Sequence, residues 1–381
     1  MKFLHTSDWH LGMTLRGGMS YEADQRHAIG KICETAQNEG VDGILIAGDI
    51  FDKSIASQEA IRMCDEIITH ICAQMKIPVY MIAGNHDGSE RISQYSDLLA
   101  GSGLYIAGSL GDKVISVNQG DVDIYLLPWI STDKVKTLFP DEAGDIVSME
   151  DAYRVVLDRY RKQFAKGRKN ILVAHAFIVN AQTCVSDRAA EVGKAAAVSS
   201  DVFEGFDYVA LGHLHGPQDI TGNIRYSGSP MAYAFGREEK QVKSVTIIDT
   251  DDFSHKIVPI PQLHARCTLK GTYSELIEAD HDEEILRGYV RLEVTDSYVG
   301  METIASLREK YPNLLEISGK NPESEDAGIT MTIEEFENVS SDPMSIFTQY
   351  CRDTMGEEPD EHLRKLFGSA VKRYGKEVCE E

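Results

Sequence analysis

Several apolar runs in this sequence end in side chains that can bind a metal ion or transfer a proton. The clearest is Val79–Ala83, which leads directly into Gly84-Asn85-His86-Asp87. Gly, Asn and Asp also form ordinary turns, so this segment alone fits a simple strand-to-loop turn equally well. Chemistry is favoured because side chains of the same kinds follow other apolar runs, at Asp8, His10, Asp49, His175, His213 and His215.

Together with Asn85, these positions offer seven oxygen and nitrogen ligands. Seven ligands are too many for one ion and suit two ions that share a bridging carboxylate. Imidazole, carboxylate and amide groups suit Mn²⁺, Fe²⁺ or Zn²⁺, and the lack of thiolate ligands disfavours a structural zinc site. Two such ions about 3.5–4 Å apart activate a water and stabilise both the attacking and the leaving oxygen of a phosphoryl transfer. The pattern therefore predicts a two-metal phosphoesterase.

Two further side chains beside Asn85 lie outside this ligand set. His86 is predicted to protonate the leaving alcohol or to steady the phosphate, and the alternative is a histidine with a structural role. Asp87 is predicted to orient a histidine through a hydrogen bond.

The first three apolar runs are predicted strands separated by helices. Lys2–Ser7, Asp42–Asp49 and Val79–Ala83 alternate with two segments whose apolar residues recur at helical spacing. This β-α-β-α-β order predicts parallel strands with right-handed crossovers. Such sheets bind their ligands beyond the carboxyl ends of the strands. In an extended chain, Asp8 and His10 would also point to the same side.

A second sheet is predicted from the next apolar runs. Asp123–Trp129, Asn170–His175 and Asp207–His215 are its first strands, and the two histidines that end the last of them would face the same side. Arg225–Pro230 and Val242–Asp249 are predicted as its antiparallel finish. The tryptophan at the end of the first strand is interpreted as a core aromatic rather than a base-stacking platform.

The character of the chain changes after about Pro261. Short predicted strands and helices alternate there without a cluster of metal ligands, which predicts a small α+β domain over residues 263–328 that ends in the polar linker Asn321–Gly328. Two amphipathic helices are predicted within residues 329–381, and they either pack on their own domain or dock onto a partner helix or coiled coil. The phosphoesterase domain would occupy residues 1–262.

The composition favours a cytoplasmic protein without a membrane segment. The 381 residues carry a net charge of −23, which argues against a general nucleic-acid coat but not against a local site where cations supply positive charge. The seven cysteines are scattered without a Cys-x-x-Cys pair, as expected for reduced thiols. No apolar run approaches the roughly 18 residues that span a bilayer, and the N-terminus enters a strand rather than a signal peptide.

Five of these motifs, in this order, resemble those of the calcineurin-like metallophosphoesterase superfamily. They are Asp8-x-His10, Gly48-Asp49, Gly84-Asn85-His86-Asp87, the lone His175 and Gly212-His213-x-His215. Within the superfamily the chain is similar to the SbcD family of bacterial nucleases, over Thr6–Gly12, Ala47–Asp52, Ala83–Asp87, Leu211–His215 and Tyr226–Pro230. The resemblance is specific over about residues 1–250 and only architectural beyond them.

The resemblance implies a fold and a ligand assignment. The fold would be a four-layer α/β sandwich of two mixed sheets flanked by helices, with a small α+β capping domain and a C-terminal helical tail. Two Mn²⁺ ions would be bound, with Mg²⁺ or other divalent ions as alternatives, and His86 would be the catalytic histidine. One ion would be held by Asp8, His10, Asp49 and His215. The other would be held by Asp49, Asn85, His175 and His213.

The resemblance also implies a substrate and partners. Members of the SbcD family are Mn²⁺-dependent 3′-to-5′ exonucleases on double-stranded DNA and endonucleases on single strands and hairpins, in DNA repair, recombination and replication. They act on DNA ends with an SMC-like ATPase, SbcC, whose coiled coil the tail helices would bind. A homodimer through the nuclease domain and a nucleoid-associated location would follow.

One position departs from the pattern of the archaeal and eukaryotic relatives. They have a histidine just after Gly-Asp-x-Phe, where this chain has Asp52, and the difference concerns the positioning of DNA ends rather than the metal site. Candidates for DNA contact are Arg16, Arg91 and Arg188, with solvated or ion-paired surface arginines as the alternative interpretation.

Two other functions fit the same predicted site. A phosphatase or cyclic-nucleotide phosphodiesterase for small molecules would not need the additional α+β domain or the amphipathic tail. A DNA-end tether without hydrolytic activity would not need a complete ligand set with His86. Both features favour the nuclease.

Overall fold

The structure, a computed structural model, describes residues 1–15, 20–187, 197–296, 301–319, 329–332, 347–348, 351, 359–361 and 363–368. Its contacts divide the chain into two units. The first consists of Met1–Thr14 and Ser20–Cys267, and the second of Leu15–Met19 and Thr268–Glu381. This division lies a few residues beyond the predicted boundary at residue 262, and the boundary at residue 328 stays a prediction.

The strands of the first unit alternate with helices over its first half, as the apolar runs predict. In chain order the strands are β1 (Lys2–Thr6), β2 (Gly43–Ile46), β3 (Val79–Ile82), β4 (Leu104–Ala107), β5 (Ser116–Gln119), β6 (Val122–Leu127), β7 (Lys169–His175), β8 (Phe177–Ile178), β9 (Ala197–Val198), β10 (Tyr208–Gly212), β11 (Gln218–Thr221), β12 (Ile224–Tyr226), β13 (Ser244–Asp249) and β14 (His255–Pro259).

These strands form two six-stranded sheets and one two-stranded sheet. The order in the first sheet is β14-β13-β1-β2-β3-β4, and the order in the second is β11-β12-β10-β7-β6-β5. β1 to β4 run parallel to one another, and so do β6, β7, β10 and β12. The outer strands pair antiparallel. The prediction of two mixed sheets is confirmed.

One prediction about the second sheet is wrong. The segment Val242–Asp249 contains β13, which pairs antiparallel with β1 in the first sheet, where Phe3 lies opposite Ile248. The segment Arg225–Pro230 does contribute to the second sheet through β12, but β12 runs parallel to β10. An apolar strand pattern specifies which faces are buried, whereas the choice of sheet depends on the path of the intervening chain.

The helices of the first unit begin and end at residues with clear local causes. Ser57 and Ser148 cap two of them by accepting a hydrogen bond from the backbone N–H three residues further on, and Gly40 ends the first one in a left-handed conformation. The helices are α1 (Glu22–Glu39), α2 (Gln58–Thr69) with a π-helical extension (His70–Met75), α3 (Ser89–Ile92), α4 (Ser96–Ala100), α5 (Thr132–Leu138) and α6 (Met149–Arg161), with 3₁₀ turns at Ser200–Phe203 and Glu238–Lys240.

The two large sheets pack face to face. Leu45 of the first sheet shares a fully buried apolar cluster with Ile171 and Val173 of the second. The opposite face of the second sheet is covered by α6, where Leu157 packs in one cluster with Leu172. This layering brings the carboxyl ends of the parallel strands of both sheets to one region of the unit. The α/β metallophosphoesterase fold predicted from the motifs is confirmed.

The second unit has one sheet and its own apolar core. Its sheet has the order β15-β16-β17-β18, with β16 parallel to β17, and its core includes Leu276, Leu292, Leu307 and Tyr311. The elements are β15 (Arg266–Gly271, which begins just before the boundary), α7 (Tyr273–Glu278), α8 (Glu283–Arg287), β16 (Tyr289–Val294), α9 (Met301–Lys310), β17 (Leu314–Gly319) and β18 (Ile329–Thr332).

The region predicted as a tail begins differently from expectation. Residues 329–332 form β18, which pairs antiparallel with β17, so the sheet extends into this region. The predicted linker at residues 321–328 and most of the two predicted tail helices lie outside the described residues. Among the described helices, none combines the length and the apolar character that crossing a bilayer requires.

Candidate metal centre

The structure brings together all seven residues predicted as metal ligands, at the carboxyl ends of strands from both large sheets. The Nε2 atom of His175 lies 2.8 Å from Oδ1 of Asn85, and Nδ1 of His213 lies 3.0 Å from the same oxygen. The Nε2 atoms of His10 and His215 lie 3.1 Å apart. β1, β2 and β3 deliver the ligands of the first sheet, and β7 and β10 deliver those of the second.

Asp49 lies between two groups of ligands. Its Oδ2 atom is 3.4 Å from Nε2 of His175 and 3.7 Å from Nε2 of His10. Ligand atoms of Asp8, Asp49 and His175 lie within 4.8 Å of one another, and so do those of Asp8, His10 and His215. The carboxylate of Asp49 is therefore placed to contact two cations at once.

The chemistry of this donor set fits divalent cations. Nδ1 of His10 is buried and has no hydrogen-bond partner among the residues that the structure describes. Two buried carboxylates so close together are unfavourable without compensating positive charge. Cations would supply that charge to a group of buried ligands made up of Asp8, His10, Asp49, His175, His213 and His215.

Burial and charge act on the pKa values of these groups in opposite directions. Burial raises the pKa of Asp8 to about 8, with repulsion from Asp49 opposing the attraction of His175. Burial would also raise the pKa of Asp49, but the nearby His175 and His10 hold it well below its usual value. For His175, burial lowers the pKa and Asp49 raises it, to about 9 overall. Burial lowers the pKa of His10 and His215, and metal ligands of this kind must be neutral.

The backbone that carries the ligands is strained rather than extended. Asp8, His10, Asp49 and His213 have φ angles of 53°, 44°, 52° and 106°. The prediction that extended backbone turns Asp8 with His10, and His213 with His215, is therefore wrong in its reason, although both pairs do meet at the site. Non-glycine residues rarely adopt positive φ, and each costs on the order of 1–3 kcal/mol unless the surroundings impose it.

Two glycines beside the ligands allow close approach of the backbone. A Cβ atom at Gly48 would lie 2.5 Å from Nδ1 of His175, and φ at this glycine is 87°. A Cβ atom at Gly84 would collide with the carboxylate of Asp49. The glycines of the Gly-Asp and Gly-Asn motifs are thus required by contact with the ligands themselves.

Backbone carbonyls fix the orientation of two histidines. Nδ1 of His175 donates to the carbonyl oxygen of Ala47 at 2.8 Å, and Nδ1 of His86 donates to that of Asp52 at 2.8 Å. Nε2 of each ring is then directed to Oδ2 of Asp49, at 3.4 and 4.0 Å. The backbone N–H of His86 also donates to Oδ1 of Asp49 at 3.0 Å. His86 is therefore beside the ligands, as predicted.

The predicted contact of Asp87 with a histidine is wrong. Its carboxylate accepts hydrogen bonds from the backbone N–H groups of Ile50, Phe51 and Gly84, at distances of 3.1, 2.9 and 2.9 Å. Asp87 therefore ties the loop after β2 to the loop after β3. It supports the ligands through the backbone, because three donors in a row offer a buried carboxylate more than one imidazole would.

Trp129 is part of the site wall rather than of the core. It is only half-buried, and its ring stacks on that of His213 with a centroid distance of 5.5 Å and an interplanar angle of 24°. Its edge contacts the ring of His175 at 5.9 Å. The interpretation as a core aromatic is therefore wrong. The strand pattern predicted its position at the carboxyl end of β6 but not which way the chain turns there.

Tyr233 is a residue of the site that the sequence did not indicate. Its buried hydroxyl contacts the carbonyl oxygens of Asp8 and Trp9 at 2.9 and 2.8 Å. Its ring lies beside His10 and His215, with centroid distances of 5.4 and 5.2 Å. It lies in a segment without apolar periodicity or a ligand motif, so no sequence signal marks it.

The predicted DNA-contact arginines are only partly described. Arg91 is exposed on α3, directly after the Gly-Asn-His-Asp loop. Arg16 and Arg188 lie outside the described residues. Asp52, which replaces a histidine of distant relatives, has Oδ1 at 3.9 Å from Nδ1 of His10.

Comparisons with known proteins agree with this geometry. The calcineurin-like phosphoesterase family matches residues 1–217. Two curated relatives, from Staphylococcus epidermidis and Staphylococcus saprophyticus, are named as the SbcD component of the nuclease SbcCD. Each is 32% identical over 84% of this chain and 85% of its own. Alignment with the solved calcineurin-like phosphoesterase YfkN from Bacillus subtilis gives 14% identity and a TM-score of 0.36, over 68% of this chain and 88% of that one.

The family match extends over the whole predicted ligand set, from Asp8 to His215. The prediction of a metal-dependent phosphoesterase is confirmed. The chain belongs to the calcineurin-like phosphoesterase family, whose members depend on two metal ions, and within it to the SbcD group of the SbcCD nucleases.

Proposed function

We propose that this protein is a Mn²⁺-dependent DNA nuclease that hydrolyses phosphodiester bonds at a site for two cations. The observation that carries the proposal is the position of Asp49, whose Oδ2 lies 3.4 Å from His175 on one side and 3.7 Å from His10 on the other. A carboxylate in this position can serve two cations, and two-cation sites suit phosphodiester displacement. The relatives are named as part of a nuclease, SbcCD, which supports a nucleic acid as the substrate.

The seven ligands are proposed to form two sets that share Asp49. One cation would be held by Asp8, His10, Asp49 and His215. The other would be held by Asp49, Asn85, His175 and His213. This division is supported by the close contact of His10 with His215 and by the convergence of the other two histidines on Asn85. These ligand types are compatible with Mn²⁺ and also with Mg²⁺ or other divalent ions.

The protein side chains would perform the remaining chemistry around the bound cations, which activate a water and offset the charge of the phosphodiester. His86 keeps one proton on the carbonyl of Asp52 and directs Nε2 toward Asp49. From this nitrogen, protonated His86 would donate a proton to the leaving sugar oxygen. Trp129 and Tyr233 pack against the ligand imidazoles and would limit their rotation.

The proposed reactions are 3′-to-5′ exonuclease action on double-stranded DNA and endonuclease action on single strands and hairpins. Because the chain carries a net charge of −23, bound cations and a partner would have to supply much of the attraction for DNA phosphates. Arg91 is the described candidate for a phosphate contact, and Arg16 and Arg188 are the others.

The regions outside the phosphoesterase domain are proposed to hold DNA and a partner. Residues 263–328 would form the capping domain over bound DNA, and the helices of residues 329–381 would bind the SMC-like ATPase SbcC. The support is that the relatives are named as one component of an SbcCD nuclease and align over 84% of this chain. A cytoplasmic, nucleoid-associated location would follow from this role.

A homodimer through the phosphoesterase domain is also proposed. Ile61 on α2 is 53% exposed, Leu98 on α4 is 77% exposed and Tyr95, directly before α4, is 69% exposed. α2 and α4 line one cleft of about 900 Å³ that includes Ile61 and Leu99. Exposed apolar side chains around one cleft are typical of a protein interface. Sedimentation of Leu98→Arg as a monomer, beside a dimeric wild type, would support this interface.

The decisive experiment measures hydrolysis of end-labelled linear duplex DNA by the purified protein with Mn²⁺, beside His86→Ala and Asp49→Ala. A small chromogenic phosphodiester is assayed in parallel. The nuclease proposal requires DNA degradation that depends on Mn²⁺ and is lost in both variants. Cleavage of the small diester alone would indicate a small-molecule phosphodiesterase or a nuclease that needs its partner. Bound metal without hydrolysis of either substrate would indicate a DNA-end tether.

A further inference from the structure

A chain of buried polar contacts leads away from the candidate metal centre, beginning at His215. Nε2 of this histidine faces His10 at 3.1 Å, and Nδ1 lies 2.5 Å from the hydroxyl oxygen of Ser186. The same hydroxyl contacts Oε1 of Glu238. We propose that Glu238, acting through Ser186, is a positioning residue that keeps the proton of His215 on Nδ1 and leaves Nε2 able to bind a cation. This inference rests on the proposed function, in which His215 is a metal ligand.

The direction of these hydrogen bonds follows from counting protons. A serine hydroxyl has one hydrogen and donates one hydrogen bond. An ionised Glu238 only accepts, so Ser186 must donate to it and accept from His215. His215 therefore carries its proton on Nδ1, and the lone pair of a neutral imidazole is then on Nε2. This is the tautomer that a cation beside His10 requires.

Glu238 is held as a carboxylate by donors on its other oxygen. Oε2 accepts from Nζ of Lys243 at 2.9 Å and from the backbone N–H of Tyr233 at 3.0 Å. Lys243 also donates to the hydroxyl of Ser229 and to the carbonyl of His215, at 2.9 Å each, so all three protons of its ammonium group are used. Glu238 and Lys243 are 1% and 2% exposed.

A buried ion pair of this kind is weak evidence for stability, because both charges lose their hydration. Its place one serine away from a ligand fits a role in orientation instead. Carboxylates that orient metal-bound histidines through hydrogen bonds are common, and they fix both the tautomer and the direction of the ring. Here the hydroxyl of Ser186 extends the reach of Glu238 to the ring of His215.

A second carboxylate near the same ring has a different task. Oδ1 of Asp187 lies 3.5 Å from Nδ1 of His215 and accepts the backbone N–H of His215 at 3.0 Å. Its Oδ2 accepts the backbone N–H of Cys184 at 2.6 Å. Asp187 thus holds the backbone of His215, whereas Ser186 contacts the ring. Two neighbouring residues of one loop therefore fix the position and the tautomer of the same ligand.

The first test is Mn²⁺ binding to the full-length protein, measured by isothermal titration calorimetry. Ser186→Ala removes the bridge, and loss of a contact of this kind weakens metal affinity by about 10–100-fold. We expect one of two Mn²⁺ ions to bind that much more weakly, and Ser186→Thr, which keeps the hydroxyl, to restore binding. Ser244→Ala is the matched control, because the Ser244 hydroxyl is buried without a hydrogen-bond partner among the described residues.

The second test observes the tautomer directly, by NMR of the imidazole nitrogens in the metal-free protein. The wild type should carry the proton of His215 on Nδ1. The population with the proton on Nε2 should increase in Ser186→Ala and in the double variant Glu238→Gln/Lys243→Met. The double variant removes the ion pair without leaving a single buried charge.

The outcomes separate this inference from the proposed function. Wild-type Mn²⁺ affinity and an unchanged tautomer in Ser186→Ala would overturn the positioning role while leaving the metal site intact. An equal loss of affinity in Ser244→Ala would overturn it as well, since any buried serine would then have the same effect. If His215→Ala still binds two Mn²⁺ ions as tightly as the wild type, His215 is not a ligand, and the ligand assignment falls together with this inference.

Discussion

The Nε2 atoms of His10 and His215 lie 3.1 Å apart, although 205 residues separate them in the chain. His10 follows the first strand of one sheet, and His215 follows β10 of the other. Two neutral imidazoles cannot both direct a lone pair at each other over this distance unless a positive charge is shared between them. This pair therefore marks the place where the site most needs a cation.

His86→Ala is expected to separate catalysis from metal binding. His86 contributes no atom to the proposed ligand sets, and loss of a general acid slows a reaction by about 10²–10⁴-fold. We expect a decrease of this size in the rate of DNA hydrolysis, with two Mn²⁺ ions still bound. Rate measurements beside metal analysis by mass spectrometry would check this. A variant that has also lost its Mn²⁺ would contradict the assigned role, because His86 would then support the metal site.

Mn²⁺ binding is expected to release protons at neutral pH. In the metal-free protein, burial raises the pKa of Asp8 to about 8, and Asp49 raises the pKa of His175 to about 9 against the effect of burial. Both groups thus hold a proton that a cation must displace, so affinity should rise with pH up to about pH 9 and fall in acid. Calorimetry in two buffers of different ionisation enthalpy would measure the released protons. Equal heats in both buffers would show that none are released.

Tyr233→Phe is expected to destabilise the fold next to the site. The substitution removes the hydroxyl that contacts the carbonyl oxygens of Asp8 and Trp9 and leaves them buried without that donor. Such a loss lowers the free energy of unfolding by about 1–3 kcal/mol. Urea denaturation of the metal-free protein would measure it. Tyr95→Phe is the control, since Tyr95 is 69% exposed, and equal stability of the two variants would refute the contact.

Gly84→Ala is expected to damage the site without touching a ligand chemically. A Cβ atom there would collide with the carboxylate of Asp49, and displacement of a catalytic group by about 1 Å can cost about 10²-fold in rate. We expect a loss of at least this size, together with weaker Mn²⁺ binding. Gly144→Ala should behave as the wild type, because a Cβ atom there meets nothing within 4 Å. Normal Mn²⁺ affinity in Gly84→Ala would show that the loop can shift.

The ligand positions could be predicted because one physical rule connects them. Parallel strands end at the same edge of a sheet, so polar side chains after several apolar runs must meet, as Asp49 and His175 do. The conformation of the loops could not be predicted in the same way. Positive φ at Asp8 and His10 depends on neighbouring loops, and an extended chain was the wrong expectation.

The supporting residues could not be predicted because they lie in irregular segments. Tyr233, Ser186 and Glu238 belong to no apolar period and no ligand motif, and only the folded chain shows that they contact the site. The membership of β13 in the first sheet was missed for a related reason. Its apolar pattern fits either sheet, and the path of the chain before it decides.

The division of the ligands between the two sheets has a consequence for protein synthesis. Asp8 leaves the ribosome near the beginning of translation, but His215 follows more than 200 residues later, and β13, which flanks β1, ends only at Asp249. During most of this time the growing chain would hold an incomplete set of ligands. A nascent or prematurely terminated chain would therefore be harmless to the chromosome, and the proposed nuclease would become able to cut only after its whole phosphoesterase domain has been made.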